Sequence, residues 1–82
     1  MNERAVLFSD SLDDLVFVRE HSTKSIRYAS DLEILEQLFT KFPIQEVIAK
    51  SSLITEEFKM ILSQKSCQLQ EFSSLAELQL RI

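Results

Sequence analysis

The first 29 residues alternate short apolar runs with short polar segments. Three runs are rich in β-branched and aromatic side chains, which is typical of strands: residues 4–9, 15–19 and 25–29. In the last run the apolar positions Ile26 and Tyr28 alternate with a charged one, the period-two pattern of a half-exposed strand. The polar segments between the runs, DSLDD and HSTK, are short enough for turns. The pattern predicts an antiparallel meander of three strands.

After residue 29 the apolar positions take a helical period. Ser30 is followed three positions later by Glu33, the spacing of a capping box, and Pro43 stops the helix that they open. Two further helices are predicted, one within residues 51–66 and one from Ser74, with short strands at residues 45–49 and 67–72. The predicted order is βββαβαβα in a single α/β domain over residues 1–82, with a mixed sheet that has helices packed on it.

The composition narrows the possible chemistry. The chain has no glycine, which excludes the phosphate-binding and dinucleotide-binding loops that need close backbone approach or positive φ. Its single cysteine, Cys67, cannot form an internal disulfide, and no stretch approaches the roughly 18 apolar residues of a membrane span. We therefore expect no membrane contact and a cytoplasmic location.

The balance of acidic and basic residues indicates what kind of partner the protein binds. Thirteen acidic residues stand against nine basic ones, which are scattered, and the net charge is −4. Direct binding to nucleic acid needs clustered cations, so the balance argues against it. It favours another protein that carries a basic surface.

Three carboxylates follow the first apolar run, and they are the strongest candidate in the sequence for a catalytic or metal site. They are Asp10, Asp13 and Asp14. Carboxylates at a strand end can hold a divalent metal, but aspartate and serine are also what a glycine-free turn recruits for its backbone donors. The turn is the simpler interpretation, and we predict neither a metal nor a cofactor.

A meander followed by αβαβα resembles the RNase H-like fold. Active members of that family cleave phosphodiesters with carboxylate-bound metals, and the resemblance places such carboxylates at Asp10 and at Glu33 or Glu36. Where the family has its third carboxylate, after the fourth strand, this chain has Lys50, Ser51 and Ser52. Lysine brings no lone pair to a metal. A metal-dependent nuclease is therefore kept as an alternative.

A narrower resemblance is to the connector domain of the DNA mismatch-repair protein MutS, which is a non-catalytic RNase H-like domain. It is carried by DLEILEQLFTKFPIQEVIAKSSLITEEF, with Pro43, Glu46, Val47 and Ile48 in the central stretch. The chain lacks the glycine turn that is usual in the family's hairpin. The resemblance implies protein contact and relay between domains within a DNA-maintenance assembly.

The sequence thus predicts a non-enzymatic protein-interaction module. The alternative within this class is an acidic inhibitor or immunity-type protein that masks a basic partner, and a homodimer is also compatible. In the last helix, two apolar residues fall outside the face that closes the sheet and are available for docking. The predicted partner-binding residues are Asp10, Asp13, Asp14, Glu56, Glu57, Leu80 and Ile82.

Overall fold

The computed structural model describes residues 5–22 and 26–82, and it alternates strands with helices. The elements in chain order are β1 (Ala5–Phe8), α1 (Leu12–His21), β2 (Ile26–Ala29), α2 (Leu32–Lys41), β3 (Glu46–Lys50), a 3-10 turn (Ser51–Leu53), α3 (Glu56–Ser63), β4 (Gln68–Phe72) and α4 (Leu75–Arg81). The general α/β class that the sequence predicts is confirmed.

The four strands form one sheet in the order β2–β1–β3–β4, and each pairing between them is parallel. Ala5 of β1 lies opposite Ile26 on one side and Glu46 on the other, and Glu46 lies opposite Gln68. A parallel pairing requires a crossover, which α1, α2 and α3 supply in turn. Each of these helices therefore starts near the carboxyl end of the sheet and returns towards its amino end.

The predicted meander is wrong, and with it the antiparallel part of the predicted mixed sheet. Residues 15–19, read as the second strand, lie inside helix α1. A four-residue apolar run does not distinguish a strand from the buried turn of a helix. Here Leu15 and Val18, three positions apart, both pack on the sheet, while Val16 is 51% exposed. The RNase H-like resemblance in fold depended on this meander; residues 4 and 25, also assigned to it, lie outside the described residues.

The helices and strands predicted for the second half of the chain are confirmed, but two of the helices begin at other residues than predicted. Helix α2 is capped by Asp31 and not by Ser30, since the Asp31 carboxylate accepts a hydrogen bond from the Ile34 amide at 2.9 Å. Helix α3 is capped by Thr55, whose hydroxyl accepts from the Phe58 amide. The chain between Lys50 and Thr55 is therefore mostly a 3-10 turn.

The core has two halves, one on each face of the sheet. On the face covered by α2 and α3, Phe8 stacks on Phe58 with ring centroids 5.0 Å apart, and Leu35 packs beside them. On the face covered by α1 and α4, Val18 and Leu78 pack with further residues of the sheet. Because both faces are covered, the central strand β1 is buried along its whole length.

The α3–β4 connection shows how a chain without glycine makes a tight turn. Ser66 has φ of 53°, in the left-handed region that glycine would normally occupy. Serine has no branch at Cβ, so it tolerates this region better than a β-branched residue would, although asparagine and aspartate are more common there. The turn brings the chain from α3 into β4.

The start of α4 makes a testable contribution to stability. Ser74 caps the helix by accepting from the Glu77 amide, and the Glu77 carboxylate accepts from the Ser73 amide at 2.8 Å and from the Ser73 hydroxyl. These hydrogen bonds to Ser73 hold the pKa of Glu77 below its ordinary value of 4.5. A carboxyl with a lowered pKa in the folded state stabilises the fold above its unfolded pKa, and this contribution is lost as the pH falls.

We therefore expect Glu77→Gln to melt below the wild-type protein at pH 7, and the difference to be smaller at about pH 3, which lies below the ordinary pKa of 4.5. Thermal unfolding followed by circular dichroism at both pH values measures it. Ser73→Ala removes the hydroxyl donor and keeps the amide donor, so it should show a smaller effect with the same pH dependence. A difference in melting temperature that is unchanged at pH 3 would contradict the assignment.

Candidate functional site at the carboxyl end of the sheet

The carboxyl end of the sheet is the first place to search for a site. The chain leaves β1 for β2 on one side, and later places β3 on the other side of β1. In α/β folds, ligands bind in the crevice at such a reversal of strand order. Ser9 and Asp10 follow β1 there, and Lys50 ends β3.

A buried hydrogen bond ties the end of β1 to helix α1. Ser9 is fully buried and Asp14 is 7% exposed. The Ser9 hydroxyl donates to Oδ2 of Asp14 at 2.5 Å, and it accepts from the Ser11 amide at 3.1 Å. The two side chains therefore fix the β1–α1 turn, and the Ser9 oxygen is closed to solvent.

Lys50 places a positive charge over the carboxylates of this turn. Its Nζ lies 3.5 Å from Oδ1 of Asp10 and 4.0 Å from Oδ2 of Asp14. The ammonium group partly compensates the charge of Asp10, and lysine cannot itself ligate a metal. Within residues 5–22 and 26–82, no three histidine, cysteine or carboxylate side chains are arranged to hold a metal ion.

Tyr28 of β2 belongs to the same neighbourhood. Partial burial raises the pKa of its phenol above 10.0, and the negative charges of Asp10 and Asp14 raise it further. A proton on the phenol is favoured because a phenolate would face two carboxylates. Tyr28 is therefore a neutral side chain at neutral pH beside the acidic turn.

The helix starts make the carboxyl end of the sheet acidic. Carboxylates are favoured in first turns because the helix dipole is positive there, and in this topology the first turns gather at one end of the molecule. The carboxylates found there are Asp10, Asp13, Asp31, Glu33, Glu56, Glu57 and Glu77, and Lys50 is a cation among them. The amino end is mixed in charge, since it holds Arg19, Lys41 and Lys65 together with Glu20 and Glu46.

The structure brings together part of the predicted partner-binding set. Asp10, Asp13, Glu56 and Glu57 are exposed at the carboxyl end, although α1 and α3 lie on opposite faces of the sheet. Asp14 is buried against Ser9, so it supports the turn.

The two apolar members of that set lie elsewhere. Leu80 and Ile82 are at the far end of α4, where Leu80 is 81% exposed and Ile82 packs partly against the core. They do not join the acidic surface.

Sequence reasoning missed the roles of Ser9 and Tyr28. The available signal for Ser9 was a polar residue directly after four apolar ones, which marks the end of a buried strand. Tyr28 could be placed beside Asp10 only with the parallel pairing of β1 and β2, which the sequence pattern did not reveal.

No family model, curated protein or solved structure matches the chain. None of the helices among the described residues is long and apolar enough to cross a membrane. The fold and the site define a small parallel α/β domain with several carboxylates at the carboxyl end of its sheet.

Proposed function

We propose that this chain is a non-enzymatic protein-interaction module that binds a basic surface of another protein with the carboxyl end of its sheet. The observation that carries the proposal is the convergence of exposed carboxylates from different helices, Asp13 from α1 and Glu56 and Glu57 from α3, at one end of the molecule. A basic partner would meet these charges together.

The polar groups at the strand reversal support binding over catalysis. A nucleophile must be reached by its substrate, and Ser9 is fully buried with its hydroxyl committed to Asp14. Asp10 is paired with Lys50, so its charge is already partly compensated. Among the described residues nothing favours the nuclease alternative over this proposal.

The partner's chemistry follows from the exposed charges. Lysine and arginine side chains complement exposed carboxylates, and complementary charge raises the association rate and sets orientation more than it deepens affinity. Exposed ion pairs contribute about 0.2–1 kcal/mol each, so several of them are needed for a measurable affinity. A salt-sensitive contact is therefore expected.

The biological setting of the module stays a prediction, as does its cytoplasmic location. The likeness to the MutS connector domain now rests on residues 31–58, where the helix–strand–helix order agrees with α2, β3 and α3. A connector-like relay in a DNA-maintenance assembly and an inhibitor that masks a basic protein would both use the acidic end of the sheet.

The test compares two variants of equal net charge. One removes three carboxylates from the acidic end (Asp13→Asn, Glu56→Gln, Glu57→Gln), and the other removes three from elsewhere (Glu20→Gln, Glu36→Gln, Glu46→Gln). Binding to a fluorescent deca-lysine peptide, followed by anisotropy at two salt concentrations, should weaken about tenfold in the first variant, since three exposed pairs together supply about 1.4 kcal/mol.

We expect the second variant to bind the peptide within about twofold of the wild-type protein. Melting curves of both variants check that they remain folded, because first-turn carboxylates also stabilise helices by roughly 0.3–1 kcal/mol each. Equal weakening in both variants would show that binding of the peptide depends on the net charge of the protein and not on the position of the carboxylates. That result, or no binding of the wild-type protein, would overturn the proposal.

A further inference from the structure

Strand β4 leaves one long side of the sheet open. It pairs with β3, and no other strand among residues 5–22 and 26–82 lies on its outer side. Gln68, Leu69 and Glu71 are exposed. The strand QLQEF contains no proline or lysine and only one charge, whereas open strands of natural sheets are usually protected by such residues.

Three contacts show which backbone groups of β4 point outward. The Gln68 amide donates to the Gln45 carbonyl at 2.8 Å, and the Phe72 carbonyl accepts from the Ser51 hydroxyl, so both residues face β3. The Glu71 carbonyl instead accepts from Arg81. Because the direction alternates along a strand, the amides and carbonyls of Leu69 and Glu71 face outward.

The geometry points to a second copy of this chain as the occupant: two β4 strands pair antiparallel about a two-fold axis at Gln70. This inference goes beyond the proposed function and uses a different surface. With Gln70 on the axis, Leu69 lies opposite the partner's Glu71, and both are residues with outward backbone groups. The pairing therefore gives hydrogen-bond partners to the outward amides and carbonyls of Leu69 and Glu71 in both copies, and it joins the two sheets into one.

The side chains on the α3 side of β4 complement this register. Leu69 lines a shallow groove with Lys59, Leu62 and Cys67. Glu71 lies on the same face of the strand as Leu69, because side chains alternate. The register brings the partner's Glu71 beside Leu69 and therefore to the groove that Lys59 lines. Lys59 of each copy then lies near the partner's Glu71, so a pair of opposite charges forms on each side of the two-fold axis. The two leucines cover apolar surface that is open in the monomer.

Arg81 limits this pairing. Its Nε donates to the Glu71 carbonyl at 3.0 Å, and that carbonyl is one of the groups that the second copy would use. Pairing therefore has to displace a hydrogen bond within each chain. Arg81→Ala frees the carbonyl, so it should shift the equilibrium towards the dimer.

Disulfide trapping tests the register directly. In a Cys67→Ser background, Gln70→Cys should form a symmetric disulfide dimer under mild oxidation, because facing residues of a pair without hydrogen bonds have Cα atoms about 4.5 Å apart. Gln68→Cys is the matched control, since its two copies would lie about 14 Å apart along the strands at 3.4 Å per residue. Equal crosslinking at both positions would overturn the register.

Sedimentation velocity of the protein without added cysteines tests reversible pairing. The dimer fraction should rise with concentration, increase in Arg81→Ala and disappear in Leu69→Glu, which places a like charge opposite the partner's Glu71 at a position that is 40% exposed. A wild-type protein and an Arg81→Ala variant that both stay monomeric would overturn the inference. The deca-lysine experiment is independent of this result because it uses the other end of the molecule.

Discussion

Phe58→Ala is expected to lower the free energy of unfolding by about 3–5 kcal/mol, the largest loss that we predict for a single substitution. Phe58 is fully buried, and its ring stacks on Phe8 at an interplanar angle of 4°. Alanine would remove both the buried area and the stacking partner of a residue on the central strand. Urea denaturation followed by circular dichroism measures the loss.

Met60→Ala, two positions along the same helix, is the control for Phe58→Ala. Met60 is 63% exposed, so the change in the free energy of unfolding should stay within about 0.5 kcal/mol. The contrast matters because a domain of this size has a total stability of only about 4–12 kcal/mol. Similar losses in the two variants would contradict the orientation of α3 in which Phe58 is buried and Met60 is exposed.

Asp14→Ala is expected to cost about 2–3 kcal/mol, because it removes the charged acceptor of the buried Ser9 hydroxyl. Ser9 would then lie at the end of the central strand without its 2.5 Å partner. Chemical denaturation measures the loss, and Ser9→Ala in the Asp14→Ala background should recover part of it, since the unsatisfied hydroxyl is removed.

Asp13→Ala is the matched control for Asp14→Ala. Both carboxylates lie in the first turn of α1 and interact with its dipole, but Asp13 is exposed. Its loss should therefore cost only about 0.3–1 kcal/mol. If Asp13→Ala cost as much as Asp14→Ala, the buried hydrogen bond would not be the source of the effect.

The second half of the fold could be predicted because its helical signals extend over many residues. Helix α2 has apolar residues at Leu32, Leu35 and Leu38 on one face, and such spacing over ten residues does not fit a strand. The first half could not, because the run around Phe17 is too short to show a period. The charges at its two ends, Asp13 before and Arg19 after, match the dipole of a helix and were the better guide.

The candidate site was only partly predictable for a different reason. The exposed carboxylates can be found in the sequence, and Asp10 and Asp13 are exposed as expected. The approach of Lys50 to Asp10 joins residues 40 positions apart, and it depends on the neighbouring positions of β1 and β3 in the sheet. No local pattern reports such a contact.

The strand order also governs how the chain can reach its folded state. Ala5 must find Ile26 and Glu46, and Glu46 must find Gln68, so every strand pairing closes a loop of roughly 20 residues or more. No two of the described strands form a hairpin that could pair first, and β1, which pairs on both of its sides, is the first described strand in the sequence. Helices with local contacts, such as α2, are thus the natural early structure, and assembly of the sheet is the slow step of folding.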